Sequence, residues 1–175
     1  MIRSASDIRA IFNRLFAARY RISMQGGADE PLYLPPAEGR SGTIMHTRDF
    51  TASALHEAAH WCLAGARRRR LADYGYPYLP PPRPRPAQAQ FFRSERRVQA
   101  LEALFAEAAG QAFCVSLDDF SIGEARRQVF ERMVAMEIRC WRANGLPPRA
   151  ARLYHALLAV RDGQTSVHEL EASAL

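Results

Sequence analysis

Between Phe50 and Ala66 the chain carries one formally charged side chain, Glu57, set among small or apolar residues and two histidines. From about Asp49 to Gly65 the pattern is helical, and a helix that is apolar nearly all round is a buried helix. The fold must therefore be assembled around this segment, with other elements covering most of it. Its middle reads HEAAH, from His56 to His60. Spacing of i and i+4 puts the two imidazoles on one helical face, about 40° apart around the axis, where both can reach one metal ion. Burying a carboxylate and two imidazoles without partners costs several kcal/mol. A metal offsets that cost directly. The plainer alternative is a pair of core histidines bonded to backbone or to tyrosine hydroxyls.

At 175 residues the chain is expected to form a single domain over 1–175, since a chain of this size buries roughly 70% of its unfolded surface. Its 48% apolar and 24% charged residues make a globular composition. No run approaches the roughly 18 uncharged apolar residues of a membrane span, and no signal-peptide pattern opens the chain. A soluble, cytoplasmic protein with no membrane partner is expected. Cys62, Cys114 and Cys140 are far apart and form no C-x-x-C pair, so neither a disulfide framework nor a thiolate zinc site is indicated. All 24 basic residues are arginine, which excludes Schiff-base lysines and a Walker-type phosphate lysine.

Ser6–Tyr20 sets Ile8, Ile11, Phe12, Leu15 and Phe16 on one helical face behind a Ser6-Asp7 cap signal. Strand-like runs follow at Tyr20–Met24, Pro31–Leu34 and Thr43–His46. Gly65 predicts the C-cap of the buried helix. Residues 66–93 read as a proline- and arginine-rich loop, in which Asp73 to Pro86 predicts a semi-rigid path near polyproline II. Helices are predicted at Ser94–Phe113, Gly123–Ala143 and Pro147–Asp162. The fold class is α+β, helix-dominated, with a small antiparallel sheet in the N-terminal third.

Two histidines are not a site; a third ligand is needed. On the helix after the loop, at 100° per residue, Glu102 falls about 20° and Gln99 about 40° from Glu95. All three flank the apolar face of Leu101, Leu104, Phe105, Ala108 and Ala112, while Glu107 falls about 120° away and reads as solvated. Glu95 and Glu102 are the two credible carboxylates, one as ligand and one behind it; spacing does not choose between them. A two-histidine, one-carboxylate set serves two chemistries. In a zinc peptidase Glu57 is the general base acting on metal-bound water; in a non-haem iron oxygenase the open positions serve dioxygen and substrate.

At HEAAHWCLAG (His56–Gly65) the chain resembles the bacterial elongation factor P hydroxylases, a metal-dependent family with a zinc-peptidase-like fold. The likeness spans roughly residues 8–160 and also rests on DEPLYLP (Asp29–Pro35), DYGYPY (Asp73–Tyr78), QALEALF (Gln99–Phe105) and NGLPPRAARL (Asn144–Leu153). The resemblance implies that His56, His60 and Glu95 are metal ligands, with Glu102 and Gln99 as neighbours or alternatives. It implies iron (Fe2+), with zinc as the alternative metal and dioxygen as cosubstrate. It implies that the substrate is elongation factor P carrying a β-lysylated lysine, to which one oxygen is added. Glu57 then handles protons as a catalytic group. In the family a compact aspartate-glycine-arginine turn follows the Tyr78 position; here prolines run to Pro86, and Arg83 stands at the arginine position. Tyr76, Tyr78 and Arg83 are the expected substrate contacts.

The competing readings are a zinc peptidase using Glu57 and an arginine-rich RNA- or ribosome-binding module built on arginines 67–70. With the hydroxylase reading no direct nucleic-acid contact is expected, and the protein is expected to be monomeric. Tyr74, Tyr76 and Tyr78 alternate at strand spacing, and core packing is the expected role for at least half of the nearby aromatics. Asp118 and Asp119 read as a helix cap. His46, His155 and His168 carry no assigned role.

Overall fold

Apolar spacing in the first helix and alternation in the strands after it generate a helical layer against a three-stranded sheet. The computed structural model describes residues 2–76, 83–117 and 122–170. Helix α1 (Ala5–Tyr20) buries Ile8, Ile11, Phe12, Leu15 and Phe16. Its N-cap is Ser4 rather than Ser6, and the Asp7 carboxylate accepts the backbone N–H groups of Arg3 (2.7 Å) and Ser4 (3.1 Å). The sheet contains β1 (Ile22–Ala28), β2 (Leu32–Leu34) and β3 (Gly42–Thr47) in the order β1-β3-β2.

The sheet is mixed, which corrects the antiparallel expectation. β2 and β3 are antiparallel, but β1 and β3 run parallel. β3 alternates buried and half-buried residues along its whole length, the pattern of a strand with the core on one face. It therefore takes the centre and separates β1 from β2, although only three residues join those two strands. A bulge between Gln25 and Ala28 interrupts the β1–β3 register. Gly27 there adopts φ +90°, a conformation natural to glycine.

Helix α2 (Thr51–Leu63) is the buried segment, with Ala54, Leu55, Ala58, Ala59, Trp61 and Cys62 enclosed. Ala64, not Gly65, caps it. The exposed carbonyls that glycine capping would have satisfied are met by arginines instead. Arg149 donates to the carbonyls of Trp61 (3.3 Å), Cys62 (3.0 Å) and Ala64 (2.6 Å), and Arg69 donates to Ala64 (2.7 Å). The Trp61 ring is packed by Phe12, Phe16 and Tyr20 at centroid distances of 5.1, 4.9 and 5.1 Å. Replacing Trp61 by alanine is expected to cost about 3–5 kcal/mol, read as a lower denaturant midpoint; a loss under about 1 kcal/mol would contradict this packing.

Two short 3-10 turns follow, Arg68–Arg70 and Ala72–Gly75. Helix α3 spans Arg85–Ala109, so the second part of the expected loop over 66–93 is helical. Pro84 at the N-cap and Pro86 in the first turn initiate that helix, because proline there lacks only an N–H that would have no intrahelical partner. The helix stops at Ala109 rather than Phe113, with Gly110 at φ +70° as its left-handed cap. The polyproline reading over Asp73–Pro86 gives way to a 3-10 turn at Ala72–Gly75 and to helix from Arg85; its middle, 77–82, and the cap reading of Asp118 and Asp119 lie outside the described residues. Helices α4 (Glu124–Asn144) and α5 (Pro148–Arg161) complete the bundle. The main core joins α1, the sheet, α2, α3 and α5; a smaller one holds Ala100, Leu117, Phe130 and Val134. No helix among the described residues is long and apolar enough to cross a membrane.

Candidate metal centre

Helices α2 and α3 lie against each other, and the pairing of His56 with Glu102 and His60 with Glu95 shows that they run antiparallel. That arrangement brings two imidazoles from one helix onto two carboxylates from the other. The Nε2 atoms of His56 and His60 face each other at 3.1 Å. Glu95 lies 3.6 Å from His56 Nε2 through Oε2 and 3.5 Å from His60 Nε2 through Oε1. One ligand atom from each of the three residues falls within 4.8 Å of the other two. Two imidazole nitrogens that close cannot both carry a proton, so the gap between them suits one cation. An imidazole–imidazole–carboxylate donor set fits a transition metal of the zinc or iron type.

Glu102 stands behind this group. Its Oε2 accepts a 2.8 Å hydrogen bond from His56 Nδ1–H, which turns the Nε2 edge of the ring toward the centre. This is the carboxylate–histidine support typical of metal sites. Tertiary packing thus separates two carboxylates that helical phase alone leaves equivalent, with Glu95 on the ligand side and Glu102 behind His56. Gln99 takes neither place. Its carboxamide donates to the Ser116 carbonyl (2.7 Å) and accepts from the Ser116 N–H (3.0 Å), holding the chain after α3. Glu107 is exposed and paired with Arg142 at 2.6 Å, as its phase predicts.

The electrostatics are those of a cation site. Burial alone would lower the His56 pKa, but the Glu102 hydrogen bond and the charges of Glu95, Glu102 and Glu57 raise it to about 10. Burial and the neighbouring His56 hold His60 well below its ordinary value. Glu57 is 7% exposed; burial, opposed by His56 and reinforced by Glu95, Asp73 and Glu102, pushes its carboxyl up to about 7. Its carboxylate makes no hydrogen bond or ion pair with another described residue.

The turn at Ala72–Gly75 supplies a residue that strand-like spacing had disguised. Asp73 and Tyr74 adopt φ +45° and +57°, a strained region for residues with a Cβ. The distortion is held by the Tyr33 N–H donating to Asp73 Oδ1 (2.9 Å) and by Arg68 donating to the Tyr74 carbonyl (3.1 Å). It turns the Tyr74 ring between Tyr33 (4.2 Å) and His60 (6.0 Å), nearly parallel to both. Tyr74, not Tyr76, therefore reaches the centre. Tyr76 is 41% exposed, with the Arg68 guanidinium 4.2 Å over its ring. Arg83 stands 4.3 Å over the Phe91 ring. Tyr78 lies outside the described residues. His46 is fully buried near Arg9 and takes no part in the site.

The family model for elongation factor P hydroxylase matches residues 11–170. An elongation factor P lysine hydroxylase from Haemophilus influenzae is 41% identical over 154 residues, covering 87% of this chain and 86% of that protein. Both matches run through α2 and α3, which carry the four metal-centre side chains. The chain belongs to the elongation factor P hydroxylase family.

Proposed function

We propose that this protein hydroxylates the β-lysylated lysine of elongation factor P, with iron(II) held by His56, His60 and Glu95 and dioxygen as cosubstrate. The observation that carries the reading is the convergence of these three side chains within 4.8 Å in a chain of this family. Zinc has no redox chemistry, so a hydroxylation requires the iron alternative that the same ligands suit. When bound, the metal supplies the redox chemistry that activates dioxygen. One oxygen atom enters a C–H bond of the substrate and the other leaves as water, so a two-electron donor is required.

The chain's own residues do the rest. Glu102 orients His56 through Nδ1, and Glu57 offers a buried carboxylate free to hold or move a proton at its oxygens. The Tyr74 ring stacks beside His60, and the partly exposed His56 and His60 side chains leave the centre open to substrate and dioxygen. Tyr76, exposed beside Arg68, and Arg83 are the proposed contacts with the substrate protein. Arg68 and Arg69 bond to the protein's own carbonyls, which removes two arginines from the run that the RNA-binding reading requires.

The test is the intact mass of β-lysylated elongation factor P after aerobic incubation with the iron-loaded protein and an external reductant. A gain of one oxygen atom, absent with His56→Ala, is expected. Unchanged mass together with peptide hydrolysis by the zinc-loaded protein would replace this reading with the peptidase one.

A further inference from the structure

Four consecutive arginines, 67–70, follow shortly after α2, and the end of that helix accounts for only part of the run. Arg69 Nη1 donates to the Ala64 carbonyl and Arg68 to the Tyr74 carbonyl, the first as a cation near a helix C-terminus is expected to do. The Arg70 guanidinium makes no hydrogen bond or ion pair with another described residue. Arg70 lines a cavity of about 410 Å³ between the end of α1, β2 and the last turn of α2. Arg19, Tyr20, Tyr33, Trp61 and Arg69 share its walls, and no acidic residue lines it among the described residues. Arg19 and Arg70 are exposed at its edge and Arg69 is half-buried, so the space is open to solvent.

Packing holds the arginines as a group. The guanidinium carbons of Arg19 and Arg69 lie 5.6 and 5.8 Å from the centre of the Tyr20 ring, and that of Arg69 lies 5.9 Å from the Trp61 ring, within cation–π range. With Nη1 committed to Ala64, Arg69 keeps Nε and Nη2 for another acceptor. Burial and the charge of Arg149 push the Arg69 pKa down, opposed by Tyr20, Tyr33 and Cys62; gathered like charges of this kind favour an anion beside them. A carboxylate offers two acceptor oxygens, whereas a phosphoryl group offers three and close to two negative charges. Guanidinium forks pair with phosphate through two parallel hydrogen bonds. Three arginines around one concavity therefore match a phosphate dianion better than a single carboxylate. None of His56, His60, Glu95 and Glu102 lines the cavity, and Trp61 lies about 100° around α2 from His60.

We propose that this cavity is a second binding site, for a phosphate dianion held by the guanidinium groups of Arg19, Arg69 and Arg70. The same chemistry is offered by free phosphate and by the phosphoryl group of a small monoester. The site is separate from the metal centre and does not depend on the functional reading above.

The experiment is a calorimetric titration of inorganic phosphate into the metal-loaded protein, at an ionic strength held constant with chloride. One saturable site with a Kd at or below about 1 mM is expected. Arg19→Gln and Arg70→Gln should each weaken it about tenfold, as loss of one charge-assisted hydrogen bond does. Their Tm without phosphate should match the parent's, since neither guanidinium bonds to the rest of the described protein. His60→Ala should bind phosphate as the parent does. Glycerol 2-phosphate binding as tightly as phosphate assigns a monoester ligand, and weaker binding assigns free phosphate. The proposal is overturned by the absence of saturable binding at that level or by binding that survives both arginine substitutions. Binding lost in His60→Ala overturns it too, by placing the phosphate on the metal. Tighter binding of malonate, or of an RNA oligonucleotide without terminal phosphates, would replace the assignment with a dicarboxylate or a nucleic acid.

Discussion

A protein carrying His60→Ala is expected to lose its metal and, with it, its turnover, while helix α2 persists. Alanine is the best helix former, and Trp61 and Cys62 remain packed beneath, so far-UV circular dichroism should not change. What disappears is one of three donors converging within 4.8 Å. The loss should exceed the roughly 10- to 100-fold typical of removing a group behind the ligands. Metal analysis after gel filtration reads it directly. A variant that keeps stoichiometric metal and full activity would remove HEAAH from the chemistry and return both histidines to core packing.

The second large effect separates two carboxylates that look equivalent along α3. Glu95→Gln is expected to resemble His60→Ala, because a neutral carboxamide is a poor substitute for an anionic ligand facing both Nε2 atoms. Glu102→Gln keeps a carbonyl oxygen able to accept from His56 Nδ1–H at the 2.8 Å position. It should bind metal about 10- to 100-fold more weakly and retain measurable turnover. Titrating each apoprotein with iron(II) under anaerobic conditions gives the ranking. If the two variants exchange places, Glu102 is the ligand and Glu95 the support.

Much of the fold is legible where one local signal dominates. α1, α4 and α5 lie within a residue or so of their predicted limits, since apolar spacing and punctuation by Gly145 and Pro147 act over a few residues. The sheet's three strands are legible too, but their pairing is not. Strand order depends on what β3 packs against on both edges, and no local pattern records that. The start of α3 is lost for a different reason: prolines signal loop by their missing donors, yet Pro84 and Pro86 sit where no donor is needed. Arg149 as the cap of α2 is invisible for the same long-range reason, lying 85 residues from Ala64.

At the centre, local spacing alone places His56 and His60 on one face of a buried helix and sets Glu95 and Glu102 on a shared stripe. Periodicity is a property of the backbone, so a spacing of four or seven residues suffices to set it. Helix packing, in contrast, sets which carboxylate faces the histidines, commits Gln99 to Ser116 and brings Tyr74 rather than Tyr76 to His60. Each of these depends on the antiparallel seating of α3 against α2, or on a left-handed turn held by Arg68 and Tyr33. Such contacts join residues far apart in the chain, and no local spacing encodes the distance between them.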